Sequence, residues 1–138
     1  MTDAATILLT RPRAQSETFA TALGEDIRVV ISPAFEIEPV PQGELPEAGG
    51  GVILTSVNAV PAARALPAGT IAWCVGDRTA RAASAAGLKA KSAGRDADAL
   101  TTMILSARPQ GALLHLRGEQ ARGDIAARLR AAGLSCTE

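Results

Sequence analysis

Cysteines, aromatic residues and net charge are all scarce in this 138-residue chain, and each shortage excludes something. The two cysteines, Cys74 and Cys136, are too few and too scattered for a disulfide scaffold or a zinc site. Aromatics make up 2% of the residues: Phe19, Phe35 and Trp73, with no tyrosine. Single-stranded nucleic acid is gripped largely by stacking on aromatic rings, so that mode of binding is ruled out. Fourteen basic side chains balance fourteen acidic ones, which leaves no field to draw the chain to nucleic acid or to an anionic membrane. No apolar run approaches the ~20 residues of a membrane span. No basic segment followed by a long apolar stretch marks a signal peptide. Phosphate-gripping glycine motifs and metal-ligand clusters are missing too, so neither cofactor nor metal is expected. The composition fits a cytoplasmic protein of about one domain's length.

What is present is a repeating alternation. Hydrophobic residues reach 47%, mostly Ala, Val, Leu and Ile. Short continuous apolar runs predict buried strands at Thr6–Thr10, Arg28–Ile31, Val52–Leu54, Ile71–Val75 and Leu113–Leu116, with a short edge strand at Lys89–Ser92. Between them, helical patterns cover Ala14–Leu23, Val57–Ala65, Asp77–Ala86, Asp96–Ala107 and Glu119–Ala132. Gly24, Gly87 and Gly133 stand just past three of these helices, where a left-handed stop is needed. Strands without polar alternation, separated by helices, mean an α/β fold whose parallel sheet is flanked by helices in a flavodoxin-like build.

Two stretches break the pattern. Residues 33–51 carry Pro33, Pro39, Pro41 and Pro46, four glutamates, no basic residue and the run Gly49-Gly50-Gly51. They are expected to form an extended linker or a long surface loop. At the other end, Leu134–Thr137 begins a strand just before Glu138. A parallel strand started there is expected either from a truncated chain or from a frayed tail. The segment before the linker holds two strands and one helix, too little to bury a core alone.

Four junctions run from a strand into a helix start: Thr10-Arg11-Pro12, Thr55-Ser56-Val57-Asn58, Gly76-Asp77-Arg78-Thr79 and Arg117-Gly118-Glu119. In a parallel sheet they fall at the carboxyl ends of the strands, where ligands bind in open α/β folds. Helix starts offer unpaired N–H groups and a partial positive charge, suited to carboxylate or phosphate. Thr55, Ser56 and Asp77 also suit plain N-capping, and Arg11 and Arg117 suit either an anionic ligand or a surface ion pair. Asp96 and Asp98 are expected as caps, and Cys74 as a small buried hydrophobe. His115, the single histidine, lies inside an apolar strand with no nucleophile motif near it, and a structural role is expected.

The ordered set of these junctions resembles the uroporphyrinogen-III synthase family. The resemblance is carried by Leu8-Leu9-Thr10-Arg11-Pro12, by Val52-Ile53-Leu54-Thr55-Ser56-Val57-Asn58-Ala59-Val60, and by Val75-Gly76-Asp77-Arg78-Thr79-Ala80 with Ala86-Gly87-Leu88. Asp96-Ala97-Asp98-Ala99-Leu100 and Leu114-His115-Leu116-Arg117-Gly118-Glu119 complete it. No single motif is specific; their order, gaps and intervening Pro-rich stretch are, and they cover nearly the whole chain.

The resemblance implies two α/β lobes, the first discontinuous and the second inserted into it. Residues 1–36 resemble part of the first lobe and the start of the linker, and residues 37–138 the linker and the inserted lobe. It implies cyclisation of hydroxymethylbilane to uroporphyrinogen III, with loss of water and inversion of the last pyrrole ring. It implies Thr55, Ser56 and Thr79 as hydrogen-bonding groups, with Thr79 the catalytic candidate. Backbone amides near Val57 and Gly76–Asp77 would hold carboxylates, and Arg11 and Arg117 are further contacts. No cofactor is implied. A monomer is expected for a full-length chain, and a swapped dimer is open to one whose first lobe is incomplete. The rival readings are a non-catalytic α/β module holding an anionic small molecule, and an interaction domain that completes its sheet with another chain.

Overall fold

The computed structural model describes residues 5–138. The chain forms two compact units, Met1–Pro41 and Gln42–Glu138. In the first, strand β1 (Thr6–Leu9) leads into helix α1 (Arg13–Leu23) and returns in β2 (Arg28–Ile31), which pairs with β1 in parallel, Leu8 opposite Val30 and Leu9 opposite Ile31. Gly24 ends α1 at φ 81°, a conformation that glycine adopts without steric penalty. Ser16 is fully buried, and its hydroxyl donates to the Arg11 carbonyl at 3.0 Å. Leu8 and Val30, paired across the ladder, are exposed. So thin a unit buries little apolar surface, as its two strands and one helix predict.

The second unit carries a five-stranded parallel sheet. Its strands are β3 (Gly51–Leu54), β4 (Ile71–Cys74), β5 (Lys89–Ser92), β6 (Leu113–Leu116) and β7 (Cys136–Thr137). A 3₁₀ turn (Val57–Ala59) runs into α2 (Val60–Ala63), and α3 (Asp77–Ala85), α4 (Ala97–Ala107) and α5 (Ile125–Ala131) complete the unit. The spatial order is β5-β4-β3-β6-β7. Within the α/β class this is the doubly wound order in which the first strand lies at the centre, rather than the flavodoxin order 2-1-3-4-5.

Side-chain alternation divides the core in two. Val52, Leu54, Ala72, Cys74, Leu114 and Leu116 face one way, with Val60 and Ala63 of α2 and Ala83 of α3. Ile53, Trp73 and Leu113 face the other way, with Leu100 and Ile104 of α4 and Ile125 and Leu129 of α5. Val52, Ile53 and Leu54 have no exposed surface, so β3 is dry on both faces and each of these side chains contributes ~1.5–3 kcal/mol. Cys74 is fully buried, as expected, and burial pushes its thiol up to about 11. Among the described residues no helix is long and apolar enough to cross a membrane.

Two expectations are corrected. The helix placed at Glu119–Ala132 begins only at Ile125. Residues 119–123 offer a core no apolar side chain except Ala121, and Gly123 takes φ 105°, so an early start has nothing to bury and a backbone turn in its way. The glycine run, read as linker, is instead a packed entry to the sheet. Gly50 donates its amide to Ala112 at 2.9 Å, and its carbonyl accepts the Trp73 indole N–H at 2.9 Å. Gly51 is the first residue of β3. The rest of the stretch forms neither helix nor strand, although Leu45 and Ala48 pack against the core.

At Gly51, φ is 107°, and a Cβ would stand 2.6 Å from the Ile71 carbonyl oxygen and 2.7 Å from Trp73 Nε1. Gly51→Ala is therefore expected to destabilise the second unit by about 3 kcal/mol, from backbone strain and overpacking together. Urea unfolding followed by the fluorescence of the single tryptophan measures this; a change below ~1 kcal/mol would show that the strand can shift to make room.

Candidate functional site

The carboxyl edge of the five-stranded sheet gathers the junctions after β3, β4 and β6. Because β4 and β6 flank β3, residues 55–57, 76–79 and 117–118 leave neighbouring strands, which are ~4.8 Å apart. Chain direction reverses its advance between β3 and β6, the position where doubly wound sheets open a crevice. The edge therefore brings together Thr55, Ser56, Val57, Gly76, Asp77, Thr79 and Arg117. Arg11 belongs to the first unit, where its guanidinium lies 5.4 Å from the centroid of the Phe19 ring, within cation–π range.

After β3, Ser56 is the N-cap of the 3₁₀ turn: its hydroxyl accepts the Asn58 amide at 3.2 Å. Thr55 and Val57 are half-buried beside it. After β4, the N-cap of α3 is Gly76 and not Asp77. Gly76 is extended, has no side chain to close the helix end, and has nothing within 4 Å of where a Cβ would stand. The first amides of α3 thus carry no side-chain cap, the condition under which a helix start accepts an anion. Thr79, in that first turn, is only 6% exposed, and its hydroxyl has no hydrogen-bond partner among the described residues.

Asp77, the first residue of α3, accepts the Ser92 hydroxyl through Oδ1 at 2.6 Å. Sequence reading placed Ser92 only as the last residue of an edge strand; its one visible signal was a serine just before the Gly94 turn. Asp96 caps α4, accepting the Ala99 amide at 2.9 Å, while Asp98 pairs with Arg128 at 2.6 Å instead of capping.

After β6 no helix starts at residue 119, so the fourth junction is a loop and not a helix N-terminus. Arg117 is already engaged: its Nε lies 2.8 Å from Glu138 Oε1, and its Nη1 donates to the Gly118 carbonyl at 3.2 Å. Glu138 also meets Arg130 at 3.4 Å.

His115 lies beside this ion pair, opposite Ile53 in the ladder and 6% exposed. Both ring nitrogens are buried without a hydrogen-bond partner among the described residues, and Nδ1 stands 3.7 Å from Glu138 Oε1, beyond hydrogen-bond range. Burial lowers its pKa from the usual value; Glu138 pulls it up in part and Arg117 pushes it down. The folded protein therefore binds this proton more weakly than the unfolded chain. Stability from this site is complete above the unfolded pKa of ~6.5, and falls as pH drops from there toward the lower native value. His115→Leu is expected to remove that slope and to raise Tm, because it replaces two unsatisfied polar atoms by apolar ones. Thermal melts from pH 7.5 to 5 test this, and an unchanged slope in the variant would assign it to other groups.

No curated protein matches the chain. The family profile described as Uroporphyrinogen-III synthase HemD matches residues 17–138, which takes in the whole five-stranded unit and leaves Thr10-Arg11-Pro12 outside. A match over so much of the length, on a parallel α/β fold whose junctions occur in the expected order, establishes that the chain belongs to the uroporphyrinogen-III synthase HemD family.

Proposed function

We propose that this chain performs the uroporphyrinogen-III synthase reaction, cyclising hydroxymethylbilane to uroporphyrinogen III with loss of water and inversion of the last pyrrole ring. The observation that carries the reading is the uncapped start of α3 at Gly76, beside the unpartnered hydroxyl of Thr79, in a chain of this family. The substrate bears a carboxylate on each acetate and propionate arm. Open amides at Gly76–Asp77 are suitable holders for such groups, and the Val57 amide, beside the Asn58 amide that Ser56 already caps, is the further one in this reading. In this reading Thr55, Ser56 and Thr79 donate hydrogen bonds. Arg117 contributes by exchanging Glu138 for a substrate carboxylate. Residues 37–138 are then the inserted lobe.

The chemistry asks for positioning above all. Departure of the terminal hydroxyl as water leaves an electrophilic azafulvene. The substituted carbon of the last ring attacks it to form a spiro intermediate; opening and reclosure invert that ring, and a proton leaves to restore the aromatic pyrrole. No protein nucleophile enters the balance. Folding a flexible linear tetrapyrrole so that the substituted carbon reacts first is the kind of orientation that raises effective molarity. The fully buried Cys74, its thiol pushed up to about 11, agrees with a site that uses no covalent intermediate.

An isomer assay tests the reading. Hydroxymethylbilane generated in situ is incubated with the chain, the product is oxidised, and the uroporphyrin isomers are separated. Type III above the uncatalysed background supports the proposal, and type I alone removes catalysis from this chain. Thr79→Ala is expected to lower turnover about tenfold, the worth of one hydrogen bond made in the transition state, with modest loss of stability. Unchanged turnover would take Thr79 out of the site.

A further inference from the structure

Asp77 presents a puzzle for an anion site. It stands in the first turn of α3, where a carboxylate is attracted to the open amides of the helix start. A carboxylate settled there would occupy the position a ligand carboxylate needs and repel it. In the structure the Asp77 carboxylate bonds to a residue of strand β5, and no amide of α3 donates to it among the described residues. Its Oδ1 accepts the Ser92 hydroxyl at 2.6 Å, and Ser92 Oγ is itself anchored by the Gly94 amide at 3.1 Å. Ser92 ends β5, the edge strand next to β4, so the pull is across the sheet toward its rim. Two further observations mark the space left behind. Gly76 offers no side chain as a cap. Thr79, more than nine-tenths buried in the same turn, has a hydroxyl with no partner among the described residues.

We infer that Ser92 is a positioning residue, which holds the Asp77 carboxylate off the amino end of α3 so that its amides stay open to a carboxylate of an anionic ligand. This rests on the polycarboxylate reading above and adds to it a residue that touches no substrate. The Ser92 hydroxyl spends its only proton on Asp77. Without it, Asp77 is free to cap its own helix, and the same electrostatics that favour the ligand favour the intramolecular rival. Asp77 thus becomes the group through which selectivity for anions is lost or kept.

The probe is uroporphyrin III, a porphyrin bearing the same carboxylate arms as the proposed product, titrated into the full chain and followed by quenching of Trp73 fluorescence. Ser92 is half-buried at the sheet rim, so alanine there leaves the core untouched. Ser92→Ala is expected to weaken binding about fivefold, the scale of one surface charge at a helix end, with Tm nearly unchanged. Ser92→Thr, which keeps the hydroxyl, restores the affinity. In an Asp77→Asn background, Ser92→Ala has no further effect on affinity, because the carboxylate that it restrained is gone. If the unsubstituted chain does not bind the porphyrin, the polycarboxylate reading fails and this inference falls with it. If the unsubstituted chain binds and Ser92→Ala binds equally well, the inference alone is overturned. The same loss on Ser92→Ala with and without the Asp77 charge also overturns it, since Ser92 would then act through local structure.

Discussion

Strand β3 has protein on both faces and a parallel neighbour on each side, and the organisation of the second unit follows from that burial. A parallel strand cannot return through a hairpin, so each neighbour must be reached by a crossover that lays a helix on one face of the sheet. Placing β3 at the centre sends β4 and β5 to one side under α2 and α3. It sends β6 and β7 to the other, with α4 and α5 on the opposite face. The strand exits after β3, β4 and β6 are thereby forced onto one edge, side by side. The contacts of Gly50 and Gly51 hold the other end of β3. There the backbone passes so close to Trp73 and to the strand end at Gly111–Ala112 that any side chain would displace it.

The electrostatics of that edge differ from what residue types alone imply. Arginine is the obvious partner for a polycarboxylate, yet Arg117 is held by Glu138, and the acidic Asp77, Asp96 and Asp98 lie at the starts of α3 and α4. The exposed Arg78, in the first turn of α3, has no ion pair among the described residues, so the edge sets backbone amides beside an unpaired arginine. Amide recognition is directional and adds no net charge, which fits the proposed role of folding a ligand with many carboxylates.

Much of this was legible from residues. Thr6–Leu9, Arg28–Ile31, Val52–Leu54 and Leu113–Leu116 read as strands because each is a short apolar run in a setting of helical patterns, and a parallel sheet buried on both faces needs such runs. The start of α5 did not read correctly. Glu119–Gly123 fits a helical period on paper, and only the core's demand for Ile125, Ala126 and Leu129 decides where the helix begins. The glycine run misled for a related reason. Three glycines in sequence look like slack chain, and whether they are slack or packed depends on a tryptophan far along the chain.

The sequence by itself determined the α/β class, the strand and helix spacing, the glycine stops and the order of the junctions, because all of these rest on periodicity and local backbone preference. Tertiary structure alone decided the strand order, which junctions share an edge, that Gly76 and not Asp77 caps α3, that Arg117 meets Glu138, and that Ser92 holds Asp77. Apart from the Gly76 cap, these features set together residues separated by whole elements. A hydrogen bond or an ion pair depends on distances of a few tenths of an ångström, which exist only once the sheet has brought its strands together.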